Sequence, residues 1–301
     1  MTRAVAIGEC MVELNLSGAR QAAIGFAGDT FNTAVYLSRL GVPVSYATAL
    51  GAEDPFSAAI LRLMAEEGID ASLVARAPGR LPGLYAISRD AAGERRFHYW
   101  RSQAPVRDVF RLSDEAGLAP ALLRALRQAN LVYLSGVSLA VVGEAGRAKL
   151  LALLAAATHA GAAVALDVNY RPRLWPSAEV ARAALSRAAA FARFVSLSEE
   201  DDAELGGWRA PETAEVVERF ADRTVRVRSE DGVLDIRPTA NPPAAVDTTG
   251  AGDAFNAAYL AARIRGETAT YAVAAARKLA EAVIAHEGAI IPRSAMPAPA
   301  S

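Results

Sequence analysis

The chain has 301 residues, of which 52% are hydrophobic and 22% charged, as in a globular protein with a sizeable core. With 32 basic and 33 acidic residues, its net charge is −1, which gives no basic surface for nucleic acid or an anionic membrane. The single cysteine, Cys10, excludes an intrachain disulfide and a cysteine-based metal site. No secretory signal or membrane-spanning pattern is present, so we expect a cytoplasmic protein.

Short apolar runs alternate with helical patterns along most of the chain. The predicted strands are Ala4–Gly8, Val44–Ala49, Leu131–Leu134, Ala163–Leu166 and Phe194–Leu197. The predicted helices are Thr30–Leu40, Pro55–Glu67, Pro120–Gln128, Glu144–His159 and Ala178–Phe191. Continuous apolar strands separated by helices predict an α/β fold, with a Rossmann-like, mostly parallel sheet covered by helices on both faces. Ligands of such sheets bind at the carboxyl ends of the strands.

Two segments depart from this alternation. Ala6–Leu16 continues past the first strand with polar residues between apolar ones, as in a half-exposed strand. Gly83–Ser88 and Arg95–Trp100 flank the turn sequence Asp90–Gly93, which predicts a β-hairpin. Together these segments predict a small β-sheet that projects from the α/β body.

We expect residues 1–301 to form a single domain, with the projecting sheet built from about 9–25 and 82–103. Such a sheet is either a surface decoration or a lid over a binding site. The lid interpretation is favoured because aromatic and basic side chains stand at its tips, although hairpin aromatics often only pack. These side chains are Tyr85, Tyr99 and Arg101.

The run from Asp247 to Asp253, Asp-Thr-Thr-Gly-Ala-Gly-Asp, opens an Ala-rich amphipathic stretch. Its glycines let the backbone approach an anion, and the helix that follows points its free N–H groups at that anion. An acid at each end would repel a bound phosphate, but Asp253 has a use if it takes a proton from an attacking hydroxyl. Gly250, Ala251 and Gly252 would then stabilise the transferred group. Plain turns and caps also contain such glycines, but the flanking acids indicate phosphoryl transfer to an alcohol.

The order of the polar segments resembles that of the ribokinase-like carbohydrate kinase family, whose members carry an early Gly-Gly/Asn motif and a late Asp-Thr-x-Gly-Ala-Gly-Asp motif. The segments are Gly25–Asn32, Tyr99–Arg101, Asp167–Arg173, Ser198–Asp201 and Asp247–Asp253. Further runs are similar to those of family members that phosphorylate 2-keto-3-deoxygluconate: Arg80–Tyr85, Leu134–Leu139, Asn169–Trp175 and Gly288–Arg293. The resemblance spans nearly the whole chain and is poor over roughly 205–245.

The resemblance implies that the γ-phosphate of ATP, which carries Mg²⁺, is transferred to the 6-hydroxyl of 2-keto-3-deoxygluconate. It implies that Asp253 is the base, that Gly250–Gly252 form the anion hole, and that Arg171 reaches both the substrate and the γ-phosphate. It also implies a homo-oligomer, a dimer or larger, formed through the lid. The alternatives are a sugar kinase of the fructokinase or ribokinase type, and a catalytically weak sugar-acid-binding protein.

On the sugar side, the resemblance implies binding roles for residues of the first helix, the lid and the catalytic loop. A Gly turn followed by an Asx helix cap is the alternative for the first-helix group. The planar guanidinium of Arg101 can hold a carboxylate in a bidentate manner, whereas a neutral sugar has no use for it. The implied residues are Gly28, Asp29, Asn32, Tyr85, Tyr99, Arg101, Arg171 and Asp253.

On the nucleotide side, the resemblance implies contacts from Asn169, Ser198, Arg228, Gly250 and Gly252. Asp201 stands where relatives carry an acid linked to Mg²⁺ and phosphate, although the helix dipole alone favours an acid there. Asp247 and Thr249 match positions that bind a monovalent cation in some relatives, with a partner loop near Glu287–Gly288.

The segment Arg226–Gly232 departs from the family pattern. Relatives usually have a Lys followed closely by Gly in a strand-turn that lies along the nucleotide. Here Arg228 takes the place of the Lys, and Ser229-Glu230 stands where Gly is expected. If this segment is the nucleotide strand-turn, Glu230 brings a carboxylate near an anionic ligand, which predicts weak and unselective binding of ATP.

Overall fold

The computed structural model describes residues 3–18, 20–89, 95–238 and 244–298. The strands are β1 (Ala4–Ile7), β2 (Met11–Gly18), β3 (Gln21–Ala27), β4 (Val44–Gly51), β5 (Ile69–Asp70), β6 (Val74–Ala77), β7 (Leu84–Arg89), β8 (Arg95–Trp100), β9 (Leu131–Ser135), β10 (Ala163–Asp167), β11 (Ala192–Ser198), β12 (Glu215–Arg219), β13 (Val225–Ser229) and β14 (Gly232–Ile236). The helices are α1 (Asp29–Arg39), α2 (Pro55–Glu66), α3 (Val109–Glu115), α4 (Ala119–Gln128), α5 (Gly136–Val141), α6 (Gly143–His159), α7 (Ala178–Ala189), α8 (Glu199–Glu204), α9 (Ala251–Arg263) and α10 (Ala269–Ile284). Within the described ranges, none of the helices has the length and apolar character needed to cross a bilayer.

The main sheet has the strand order β14-β13-β12-β11-β10-β9-β1-β4-β5, and β6 pairs with β4. The strands from β12 to β6 in this sheet pair in parallel, while β13 and β14 are antiparallel additions at one side. Because parallel strands run in the same direction, their carboxyl ends all reach the same edge of the sheet. The prediction of a mostly parallel sheet is confirmed.

Side chains of the central strands alternate between two apolar layers. Val5 and Ile7 of β1 pack in the layer that contains α3, α4, α6 and α7. Ala4 and Ala6 pack in the opposite layer, which contains α1, α2, α9 and α10. Since helices cover both faces, these strands are apolar at nearly every position, which is the pattern that made them predictable.

A second sheet, here called the lid, has the order β3-β2-β7-β8. The predicted hairpin is present as antiparallel β7 and β8, and its turn Asp90–Gly93 lies outside the described residues. The predicted strand Ala6–Leu16 is instead divided: β1 ends at Ile7 in the main sheet, and β2 begins at Met11 in the lid. The division follows the change from the wholly apolar β1 to β2, in which the polar residues Glu13 and Asn15 alternate with apolar ones.

The register of β13 corrects the placement of Arg226–Gly232. β12 runs parallel to β11 and ends at Arg219, on the ligand-binding edge of the sheet. β13 returns antiparallel, with Val225 opposite Arg219 and Arg228 opposite Val216. The turn between β13 and β14 therefore lies at the amino-terminal edge, away from the site. The connection that reaches the site edge is 220–224, between β12 and β13.

Candidate active site

A cavity of about 620 Å³ opens at the carboxyl edge of the main sheet, beside the lid. The segments that follow β1, β10 and β11 meet there with Arg219 at the end of β12 and with the first turns of α1 and α9. The predicted site residues that line it are Gly28, Asp29, Asn32, Tyr85, Tyr99, Arg101, Asn169, Arg171, Ser198, Asp201, Thr249, Gly250, Gly252 and Asp253. Arg228 is not among the lining residues, because it lies on β13 with its guanidinium 3.2 Å from the Glu218 carboxylate.

Asp253 lies in the first turn of α9 and contacts α1. The side-chain amide of Asn32 donates a hydrogen bond of 2.8 Å to Asp253 Oδ2. Burial raises the pKa of Asp253 well above its ordinary value, and the charge of Asp29 adds to the rise, while the Asn32 hydrogen bond opposes it. A carboxylate in this environment is a stronger base than one in water, once it is ionised.

The glycines before Asp253 shape the start of α9. Gly250 has a φ of 76°, in the left-handed region that favours glycine, and a Cβ there would lie 2.6 Å from the carbonyl oxygen of Ala289. The N–H of Ala251 turns back to the Thr248 carbonyl at 3.3 Å, whereas Gly250 and Gly252 line the cavity. The first turn of this 13-residue helix therefore has the geometry of an anion site.

Asp29 connects the start of α1 to the end of β10. Its Oδ2 accepts a hydrogen bond of 2.7 Å from the Asn169 side chain, and its Oδ1 accepts the Thr30 N–H at 2.7 Å. Asn169 has a φ of 31°, a conformation that is rare outside glycine and concentrates at functional sites. Gly28 permits the close approach of β1 and α1, since a Cβ there would be 2.1 Å from the Glu9 carbonyl oxygen.

The Asp201 carboxylate is engaged by neighbouring hydrogen-bond donors. Its Oδ1 accepts the Tyr170 N–H at 2.7 Å, and its Oδ2 accepts the Ser198 hydroxyl at 2.6 Å. With Ser198 it forms the capping box of α8. Asp201 thus orders the segments after β10 and β11. In the part of the chain that the structure describes, no cluster of His, Cys, Asp or Glu side chains is suited to hold a metal ion.

Asp167, the last residue of β10, was not predicted as a site residue. It is 3% exposed, and its Oδ1 has no hydrogen-bond partner among the described residues. Burial raises its pKa to about 7; Arg219, 3.8 Å away, opposes the rise, and Asp201 and Asp29 add to it. Its position at the end of an apolar parallel strand is the sequence signal that could have identified it.

Arg219, the last residue of β12, is a second site residue that sequence reasoning missed. Its guanidinium donates to the Gly252 carbonyl at 3.5 Å and to Asn256 Oδ1 at 2.9 Å. It also lies over the Phe255 ring, 5.6 Å from the centroid. These contacts place a cation against the first turn of α9, between the anion site and Asp167.

The lid contributes aromatic and cationic side chains, and one of its cations is already paired. Arg101 forms an ion pair with Glu9, which is 3% exposed and was not predicted. Burial raises the pKa of Glu9, and Arg101 opposes the rise.

Tyr99 is 48% exposed, with Arg101 5.9 Å from its ring centroid, whereas buried Tyr85 donates its hydroxyl to Glu13. Arg171 is exposed and donates to the Tyr170 carbonyl at 2.9 Å.

Asp247 and Thr249 are both engaged by Arg95 of the lid. The Arg95 guanidinium contacts Asp247 Oδ1 and lies 2.6 Å from the Thr249 hydroxyl. The backbone N–H groups of Thr249 and Gly288 donate to the same carboxylate at 2.7 and 3.1 Å. Burial alone would raise the pKa of Asp247, but hydrogen bonds from Thr249, Gly288 and Arg95 hold it below its usual value. The donors around Asp247 do not fit an added monovalent cation.

Comparisons with known proteins identify the family. Residues 1–296 match the pfkB family of carbohydrate kinases. The chain is 41% identical to the 2-dehydro-3-deoxygluconokinase of Dickeya dadantii strain 3937, over 97% of each chain. It is 40% identical to the protein of that name from Escherichia coli K12, over 97% of this chain and 98% of the other. The structure of a Thermotoga maritima 2-dehydro-3-deoxygluconokinase has the same fold, with a TM-score of 0.78 at 19% identity over 97% and 96% of the two chains. The chain therefore belongs to the pfkB family of carbohydrate kinases.

Proposed function

We propose that this kinase transfers the γ-phosphate of ATP to the 6-hydroxyl of 2-keto-3-deoxygluconate. The observation that carries the proposal is the position of Asp253, whose side chain is oriented by Asn32, in the same helical turn as Gly250 and Gly252. A base and an anion site therefore lie side by side. The substrate is supported by relatives at 40–41% identity whose name, 2-dehydro-3-deoxygluconokinase, denotes a kinase of the same keto acid.

The proposed step is a displacement at the γ-phosphorus. The 6-hydroxyl oxygen forms a bond to phosphorus as the bond to the β-phosphate oxygen breaks, and Asp253 takes the hydroxyl proton. Asn32 holds the Asp253 side chain towards α1, so that Oδ1 is left for the hydroxyl. Backbone N–H groups at Gly250 and Gly252 stabilise the charge on the transferred group, and ADP is the leaving product.

The keto acid carries a carboxylate, and the lid side of the cavity supplies arginines for it. Arg101 shares its charge with Glu9, so its attraction for a second carboxylate is reduced. Arg171 lines the same cavity and makes no ion pair with any described residue. We therefore assign the carboxylate to Arg171 and Arg101 together, with Arg171 supplying the uncompensated charge.

Mg²⁺ bound to ATP would balance the triphosphate charge. The residues that would face this ion are Asp167, whose buried Oδ1 accepts no hydrogen bond from the described residues, and Glu200, which lines the cavity. Carboxylates commonly hold Mg²⁺ through its retained waters, which needs no cage of protein ligands. The rest of the nucleotide would lie along Ser198, Arg219 and the 220–224 connection, at the edge where α/β sheets bind ligands.

The proposal also covers the whole assembly. We infer one domain over residues 1–301, a cytoplasmic location and a homo-oligomer that forms through the lid. The last point is supported by large apolar side chains that the lid leaves exposed: Ile24 is 59% and Trp100 61% exposed. Exposed apolar clusters of this kind mark interaction surfaces.

A substrate panel at fixed ATP tests the proposed function. ADP release is measured with 2-keto-3-deoxygluconate, fructose and ribose, and the site of phosphorylation is read from the ³¹P–¹H couplings of the product. We expect kcat/KM for the keto acid to exceed that for fructose by at least ~100-fold, because a neutral sugar leaves the charge of Arg171 unpaired. Equal use of fructose would indicate a fructokinase, and tight binding of the keto acid without ADP release would indicate a binding protein.

A further inference from the structure

We propose that the Arg95 guanidinium supplies the positive charge that the loop before α9 needs, in place of the monovalent ion that some relatives bind there. The inference rests on the proposed function only in that phosphate transfer is stabilised at this loop. It makes two claims: the loop needs no added monovalent cation, and its order depends on a residue of the lid.

The first line of evidence is that the Asp247 carboxylate is fully engaged. Oδ1 receives the Arg95 guanidinium and the Thr249 N–H, and Oδ2 receives the Gly288 N–H. The side chain is 3% exposed, so little solvent reaches it. A second cation at this carboxylate would meet the positive guanidinium at short range, where low dielectric strengthens the repulsion.

The second line of evidence is that Arg95 contacts consecutive residues of the loop. Besides Asp247, its guanidinium lies 2.6 Å from the Thr249 hydroxyl and 3.4 Å from the Thr248 hydroxyl. A planar guanidinium donates several directed hydrogen bonds at once, and these can replace the ion–oxygen contacts that a spherical ion would make. Arg95 thus fixes the backbone that leads directly into Gly250.

The position of Arg95 in the fold supports the claim that the order of the loop depends on the lid. Arg95 is the first residue of β8, at the end of the lid, and its own side chain is 19% exposed. The pair therefore bridges the lid and the main body, since Asp247 lies at the entry to α9. Displacement of the lid would remove the charge that balances Asp247, so the lid position and the anion site are linked through one side chain.

Cation dependence of turnover is the first test. Wild type, Arg95→Ala, Arg95→Lys and the control Arg96→Ala are assayed in K⁺ or tetramethylammonium at equal ionic strength. Arg96 is the next residue after Arg95 on β8. Because neighbouring side chains on a strand point to opposite faces, the Arg96 side chain is on the face opposite that of Arg95. We expect the turnover of wild type, Arg95→Lys and Arg96→Ala to be the same in K⁺ and in tetramethylammonium. Arg95→Ala should lose ~10-fold or more in kcat, the usual effect of removing a charged hydrogen bond, and K⁺ should restore part of the loss.

Thermal unfolding gives a second readout that needs no turnover and so stands apart from the proposed function. An ion that binds only the folded protein raises the Tm. We expect K⁺ to raise the Tm of Arg95→Ala relative to tetramethylammonium and to leave wild type unchanged. The proposal is overturned if wild type requires K⁺ for activity or gains Tm from it. It is equally overturned if Arg95→Ala keeps wild-type activity, or if its loss does not respond to K⁺.

Discussion

Asp253 is the residue on which the proposed chemistry depends. Asp253→Asn should keep the Asn32 contact region and the fold, but an amide cannot accept the hydroxyl proton. We expect kcat to fall by ~10²–10⁴-fold, the usual contribution of a general base, with little change in KM for the keto acid. Coupled ADP release measures this, with Asp231→Asn, an exposed turn residue at the far edge of the sheet, as the control. Turnover by folded Asp253→Asn within a few-fold of wild type would exclude it as the base.

The arginines near the lid should raise the KM for the sugar acid when they are removed, and for Arg101 the KM for ATP should stay unchanged. Arg171→Ala and Arg101→Ala each remove a charged hydrogen bond to a carboxylate, so KM for the keto acid should rise roughly ten-fold or more. We expect the larger effect from Arg171, because Glu9 already balances Arg101. Steady-state kinetics with each substrate varied in turn measures both constants, and Arg96→Ala serves as the control. An unchanged sugar KM in both variants would place the carboxylate elsewhere.

At the scale of elements, the 220–224 connection and the β13–β14 turn should differ in their effect on the nucleotide. Arg219 stands at the site edge against Gly252, whereas Glu230 lies in the turn at the opposite edge. Arg219→Ala should weaken binding of a non-hydrolysable ATP analogue by about ten-fold, through loss of a cation near the phosphates. Glu230→Gly is the matched control and should bind as wild type does. Tighter binding of the analogue by Glu230→Gly would show that the β13–β14 turn lies near the nucleotide after all.

The lid is the element expected to bring copies of the chain together. Trp100→Glu puts a charge on a side chain that is 61% exposed, on a surface that also carries Ile24. If this surface is buried between copies, the charge would be desolvated there and the assembly should dissociate. Sedimentation equilibrium should show a mass above 31.5 kDa for wild type and a shift towards that value for the variant. Asp114→Lys, on the body, is the control. A monomeric wild type contradicts the inference.

The elements that sequence reasoning found are those whose pattern is set by their own neighbourhood. β9 and β10 are apolar at nearly every position because helices cover both faces, and α1 and α6 have helical periodicity. β12 was missed because its sequence, Glu-Val-Val-Glu-Arg, contains more charged than apolar residues. The same gap explains why 226–232 was assigned to the site edge: without β12, nothing set the direction of β13.

The site residues also fall into two groups: those that a local motif predicts and those whose roles depend on distant contacts. Asp253, Asn32 and Asp29 stand in short motifs whose chemistry is readable in the chain itself. Glu9 and Arg95 have no such motif, and their roles come from partners far away: Arg95 and Asp247 are 152 positions apart. A contact of that kind is created by the fold, and a single sequence holds no local trace of it.

For the whole molecule, we expect the buried Asp167 carboxylate to lower the free energy of unfolding. Its pKa is about 7 in the folded protein, above the ordinary 3.8, so its contribution to stability declines as pH rises from about 4 to about 7. A shift of that size amounts to on the order of 4 kcal/mol above pH 7. Asp167→Asn should therefore stabilise the protein, and by about 3 kcal/mol more at pH 8 than at pH 5. Urea unfolding at the two pH values measures this, with Asp231→Asn as the control. An equal effect at both pH values would contradict the raised pKa.

The hydrogen bond between Asn32 and Asp253 joins positions 221 residues apart. Nearby, the Tyr36 hydroxyl of α1 donates to the Ala289 carbonyl at 2.7 Å and accepts the Ile291 N–H at 3.1 Å. During synthesis on the ribosome, α1 emerges early and must wait for nearly all of the chain before it meets these partners. A chain released before Asp253 has been added therefore holds the Asn32 amide without the carboxylate that it orients.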